Sequence, residues 1–100
     1  MRVHTEAVQF KADRKLTEFV ERKLSKIEQY FDRVIEARVT LKLENSGQIR
    51  DKIAEARLQV PGEVLFVISS YKTFEGSVDS VVQSLKRQVK KYKEKVRNHA

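Results

Sequence analysis

One hundred residues with 21 Lys/Arg against 14 Asp/Glu, a net charge of +7, 35% charged and 40% hydrophobic, suffice for one domain with a single modest core. The absence of cysteine excludes a disulfide framework and thiolate metal sites and fits a reducing compartment. The N-terminal stretch MRVHTEAVQFKAD holds no signal-peptide run, and the longest apolar run, residues 64–68, falls far short of the roughly 18 residues of a membrane span, so the positive surplus directs attention to a polyanion or an anionic surface.

Residues Arg2–Val8 alternate weakly through Val3, Thr5 and Ala7 and predict a short strand. Asp13 supplies an N-cap for a helix beginning at Arg14. Its apolar positions, Leu16, Phe19, Val20, Leu24, Ile27, Tyr30 and Phe31, recur at helical spacing and lay a wide stripe over about five turns. Lys15, Arg22 and Lys26 cluster away from that stripe. Lys23 projects beside it with its stem along apolar surface, so the helix has a basic edge, diluted by Glu18, Glu21 and Glu28.

From Ile35 the period changes to two: Ile35, Ala37, Val39, Leu41 and Leu43 alternate with Glu36, Arg38, Thr40, Lys42 and Glu44, a strand with one wet face. Residues 45–51, NSGQIRD, read as a polar loop. A third strand follows, with either Ala54, Ala56, Leu58 and Val60 or the register starting from Ile53 facing inward. Pro61-Gly62 suits the centre of a type II turn that returns Glu63–Tyr71 as a fourth strand. The last helix spans Phe74–Asn98, capped by Thr73 or Ser77.

The order β-α-β-β-β-α predicts one α+β domain over residues 1–100. Its first two strands are parallel neighbours and its last three form an antiparallel meander. Both helices cover one face of the four-stranded sheet, and the other face meets water. A helix of about 25 residues is about 37 Å long, whereas a seven-residue strand spans about 23 Å. The last helix is therefore expected to run past the sheet, with its basic half projecting.

Catalysis has no constellation behind it. His4 lies in a strand and His99 at the chain end, neither with a nucleophile or metal partner at motif spacing, and no GxGxxG, P-loop, HExxH or GxSxG occurs. Neither enzymatic activity nor a cofactor or metal is expected. Residues 86–97, KRQVKKYKEKVR, hold seven Lys/Arg and one Glu, +6 of the chain's +7. Lys86, Lys90, Lys93 and Arg97 share one helix side within about 60° of arc, with Leu85, Val89, Tyr92 and Val96 on the neighbouring side. Such a ridge serves as a solubilising face, a membrane-surface helix or a phosphate-binding site. An apolar side of Val and Leu with a single Tyr, needed for packing on the sheet, argues against the membrane. Cations about 5–6 Å apart can follow a nucleic-acid backbone and release its counterions. The strands lack the stacking aromatics of an RNA-recognition motif, which favours shape and backbone recognition of structured RNA. The nearly heptad spacing from Val78 to Val96 leaves a partner helix as an alternative. Asp79, in the first turns of the last helix, is assigned to offsetting the positive helix end.

Residues 19–31, FVERKLSKIEQYF, and 85–93, LKRQVKKYK, in this strand order, resemble the ribosome hibernation-promoting factors, also called ribosome-associated inhibitor A or sigma-54 modulation proteins. The likeness covers nearly the whole chain. It departs where the second helix begins: the family's acid-x-Tyr-x-Ala-Ile-Asp pattern is matched here only by Val78 and Asp79, and Lys86 stands where the family often has Glu. The resemblance implies a fold similar to double-stranded RNA-binding domains and a cytoplasmic factor of stress or stationary phase. Such a factor docks on the small ribosomal subunit, in the channel of messenger and transfer RNA, and blocks translation. It implies that Lys86, Arg87, Lys90, Lys91, Lys93 and Arg97 hold ribosomal RNA phosphates, joined by Arg22, Lys23 and Lys26 of the first helix. A chain ending at Ala100 is expected to be a short family member. A free-standing module for structured RNA away from the ribosome is the alternative.

Overall fold

The computed structural model describes residues 1–46 and 49–98. Strand β1 (Arg2–Val8) is followed by helix α1 (Arg14–Ser25), a 3₁₀ turn (Lys26–Gln29), strands β2 (Glu36–Ser46), β3 (Ile49–Val60) and β4 (Glu63–Tyr71), and helix α2 (Phe74–Asn98). The sheet order is β1-β2-β3-β4; β1 runs parallel to β2, and the remaining pairs are antiparallel. This is the α+β architecture the alternation of periods predicts, with α1 as the crossover a parallel pair requires.

Local chemistry sets the element ends. The Asp13 carboxylate accepts from the Leu16 backbone N–H at 2.8 Å and starts α1. The Thr73 hydroxyl accepts from the Gly76 N–H at 3.0 Å and starts α2, deciding the cap in favour of Thr73. Ser77, the other candidate, is fully buried; its hydroxyl donates to the Lys52 carbonyl and tethers α2 to β3. Gly62 takes φ +85°, the left-handed value that the third residue of a type II turn requires.

The core lies between the helices and one sheet face. Ala37, Val39 and Leu41 of β2, Ala54, Ala56, Leu58 and Val60 of β3, and Leu65 and Val67 of β4 point into it, which settles the β3 register. Val20, Leu24 and Ile27 descend from α1 and the 3₁₀ turn, and Val78, Val81, Val82, Leu85, Val89 and Tyr92 from α2. Three polar tethers reinforce α2 along β4 and the Pro61 turn: Ser69 Oγ to Ser80 Oγ at 2.8 Å, Gln88 Nε2 to the Phe66 carbonyl at 3.2 Å, and Tyr92 OH to the Pro61 carbonyl at 2.6 Å.

Three local expectations differ. Ile35 and Leu43 are exposed, because they lie outside the part of β2 that the helices cover. Residues 45, 46 and 49–51 are strand, paired out to Ser46–Ile49, and the rest of the expected loop lies outside the described residues. Helix α2 stays docked through Tyr92, so only its last turns project rather than its whole basic half. The outer sheet face meets water as expected, with apolar Val64, Phe66 and Ile68 of the edge strand exposed on it and the Arg57 guanidinium 5.6 Å from the Phe66 ring centroid.

Leu85→Ala is expected to cost about 2–5 kcal/mol, because it empties a fully buried position at the α2–sheet junction. Val96→Ala, on the half-exposed last turns, should stay within about 0.5 kcal/mol. Urea titration with both variants checks the contrast. Thr5→Val should stabilise by about 1 kcal/mol, because the Thr5 hydroxyl is buried without a hydrogen-bond partner among the described residues.

Candidate anion-binding groove

Packing of Leu85, Val89 and Tyr92 on the sheet fixes the rotation of α2 and turns Lys86, Lys90, Lys93 and Arg97 to one side, as their spacing predicts. These four, with Arg87, line an open groove of about 430 Å³. Glu94 is the single carboxylate in its wall, against five cations. Val89, fully buried, underlies the floor, and Tyr30, beyond the end of α1, closes the far side. The other main hollows are lined by no more than two Lys/Arg each.

Tyr30 is the member of the site that helical periodicity missed. The pattern puts it on the buried stripe of α1, but its side is 49% exposed. The α-helix gives way to a 3₁₀ turn at Lys26–Gln29. At about 120° rather than 100° per residue, those four positions add about 80° of rotation and carry Tyr30 off the stripe. Phe31 takes the inward place instead, edge-on to Tyr92 with ring centroids 5.4 Å apart. A signal was available: adjacent aromatics cannot both sit at the centre of one helical stripe. Lys93 Nζ donates to the Tyr30 carbonyl at 2.7 Å, and Lys86 Nζ stands 5.0 Å from the Tyr30 ring centroid. Two groove lysines thus hold the end of α1 against α2. At an exposed site the cation–π contact is worth about 0.5–1 kcal/mol.

The remaining predicted cations lie elsewhere. Lys91, about 140° around α2 from Lys86, lines a separate shallow hollow with Glu63, Gln88 and Lys95. Lys95 itself pairs with Glu63 at 3.4 Å. Arg87 sits on the groove's shoulder, its guanidinium donating to Ser84 Oγ at 3.0 Å. Arg22 and Lys23 of α1 each stand 5.5 Å from the Phe19 ring centroid, Lys26 of the 3₁₀ turn is exposed, and none of the three lines the groove. Lys23 also bridges to Asp79 at 3.2 Å. Asp79 therefore lies beyond the first turn of α2 and ties the two helices together, a role different from offsetting the helix end.

The described residues contain no cluster of three or more His, Cys, Asp or Glu able to hold a metal ion, and no described helix is long and apolar enough to cross a membrane. What the groove offers is a line of lysine and arginine donors on a rigid helix, suited to successive phosphates. The fold and this groove define a small α+β domain with a strongly cationic groove along one helix.

Within that class the chain belongs to the family described as sigma 54 modulation protein / S30EA ribosomal protein, whose pattern it matches over residues 3–97. It is 34% identical over 84 residues to the ribosome hibernation promoting factor of Escherichia coli K12, covering 84% of each chain. It is 30% identical over 95 residues to the factor of the same name from Pseudomonas putida, covering 95% of this chain and 89% of that one. Its fold superposes on a ribosomal subunit interface protein from Coxiella burnetii with a TM-score of 0.84, 21% identity and coverage of 94% and 99%. The family resemblance read from the two helix segments is thereby confirmed.

Asp79→Ala frees the Lys23 ammonium while breaking an ion pair between a half-exposed and a partly buried side chain. Stability should change by less than about 1 kcal/mol. Retention on a heparin column should rise; unchanged retention would place Lys23 outside the anion-binding surface.

Proposed function

We propose that this protein is a cytoplasmic ribosome hibernation factor. It binds the small ribosomal subunit in the channel of messenger and transfer RNA and keeps the ribosome from translating. The observation that carries this reading is the groove on α2, where five cations face one carboxylate on a helix rigidly seated by its own apolar side. Family membership and relatives named for ribosome hibernation supply the partner.

The contacts assigned to ribosomal RNA are those of Lys86, Arg87, Lys90, Lys93 and Arg97 in the groove. Lys91 on the back of α2, Arg22 and Lys23 on α1 and Lys26 in the 3₁₀ turn add further contacts. Most meet phosphates, which supply affinity and register and leave base identity largely unread. Lys23 joins only when its bridge to Asp79 opens, so its contribution is smaller than that of an unpaired cation. The mechanism is steric: a body with principal extents of 51 × 26 × 18 Å occupies a channel that transfer RNA needs, and no bond is made or broken.

The triple variant Lys86→Ala, Lys90→Ala, Lys93→Ala removes three groove cations. It should weaken binding to isolated small subunits and lower the magnitude of the log Kd–log salt slope by about two to three. An unchanged affinity would overturn the assignment of the groove. In sucrose gradients of cell extract the wild-type protein should co-sediment with ribosomal fractions. Recovery with messenger or small RNAs, and absence from those fractions, would instead indicate a free-standing RNA-binding module.

A further inference from the structure

We infer that the groove seats one unpaired nucleotide of an RNA chain, its base stacked on the Tyr30 ring and its phosphates held by Lys86, Lys90 and Lys93. The inference rests on the groove being an RNA-binding surface and adds to that reading the element that phosphate contacts alone do not need. A line of cations for a paired backbone requires no aromatic wall. Here the wall is a tyrosine ring 49% exposed, set on a backbone fixed twice: the Tyr30 N–H donates to the Ile27 carbonyl at 2.9 Å, and its carbonyl accepts from Lys93. The cavity of about 430 Å³ lies within the range of about 300–1,000 Å³ typical of small-ligand sites. A flat apolar surface beside several cations complements one unpaired nucleotide, a flat base carrying phosphates.

Lys86 is the gate of this arrangement. Its ammonium stands 5.0 Å from the ring centroid, over the face a base would take. A flexible four-carbon stem lets it leave the ring for the incoming phosphate, so that stacking and an ion pair replace one cation–π contact. Lys93 spends one of its three N–H donors on the Tyr30 carbonyl and keeps two for phosphate oxygens. Stacking of this kind tolerates any base.

The test uses the full chain and two RNA hairpins identical except for one bulged nucleotide, with affinities measured by fluorescence anisotropy. Tyr30→Ala should lower affinity for the bulged hairpin about tenfold and leave the fully paired one unchanged, while Tyr30→Phe should bind both as wild type does. Circular dichroism establishes that the variants are folded. Equal effects of Tyr30→Ala on both hairpins, or none on either, would overturn the stacking site. The triple lysine variant separates the two levels: if it binds the paired hairpin like wild type, the groove reading fails. If it loses both hairpins while Tyr30→Ala loses neither, only the nucleotide seat fails. AMP or a polyglutamate peptide binding as tightly as the bulged hairpin, with the same dependence on Tyr30, would reassign the site to a free nucleotide or an acidic peptide and overturn the RNA assignment.

Discussion

The contact of Leu85, Val89 and Tyr92 with the sheet gives every other functional side chain its direction. A helix rotates freely about its axis until one side is buried, and here the buried side is mainly apolar and anchored at its far end by the Tyr92 hydroxyl on the Pro61 carbonyl. Once that side is fixed, residues one position along the chain, Lys86, Lys90 and Lys93, emerge about 100° away. The same placement sends Lys91 and Lys95 to the back. The groove is thus a consequence of core packing, and a substitution that lets α2 roll would scatter the cations without removing one of them.

Such an arrangement opposes its own stability. Like charges three or four residues apart on a helix each cost about 0.2–0.5 kcal/mol, and the pairs Lys86–Lys90, Lys90–Lys93 and Lys93–Arg97 all have that spacing. Against about 1 kcal/mol of repulsion stand three buried side chains worth about 1.5–3 kcal/mol each, so packing wins by a wide margin. The repulsion that remains is relieved when anions arrive, which makes it a source of affinity. Lys23 and Asp79 show the opposite solution on the neighbouring surface, where a cation is balanced within the molecule.

Features with a local cause were legible in the sequence. Asp13 caps because a carboxylate reaches the first-turn N–H groups, Pro61-Gly62 turns because of its fixed and positive φ, and the strand of Ala37, Val39 and Leu41 shows in its period of two. The cation ridge was legible for the same reason, since a regular helix preserves angular spacing over three turns. What escaped depends on distant partners. Tyr30 leaves its stripe because the last turn of the first helix tightens where Phe31 meets Tyr92, 61 positions away, and no Pro or Gly marks the spot. The bridge between Lys23 and Asp79 needs the two helices already side by side. Residues 45, 46 and 49–51 read as loop because they are polar, yet they pair as strand, and polarity alone does not separate a strand from a loop.

The junction between α1 and α2 then acquires a meaning beyond packing. Lys93 holds the Tyr30 backbone and Lys86 covers its ring, so both lysines are ordered before any ligand arrives. Ordering a long side chain on binding costs about 0.5–1.5 kcal/mol, and two such costs are already met in the free protein. The cover over the ring is also the weaker partner: an exposed cation–π contact gives about 0.5–1 kcal/mol, against about 1–3 kcal/mol for a stacked base. A lysine displaced from the ring by a base finds that base's own phosphate within the same groove, so the exchange loses little and gains a charge-assisted bond. The groove therefore accepts an unpaired nucleotide by replacing contacts it already has in place, and the 3₁₀ turn that moves Tyr30 off its stripe is what makes this possible.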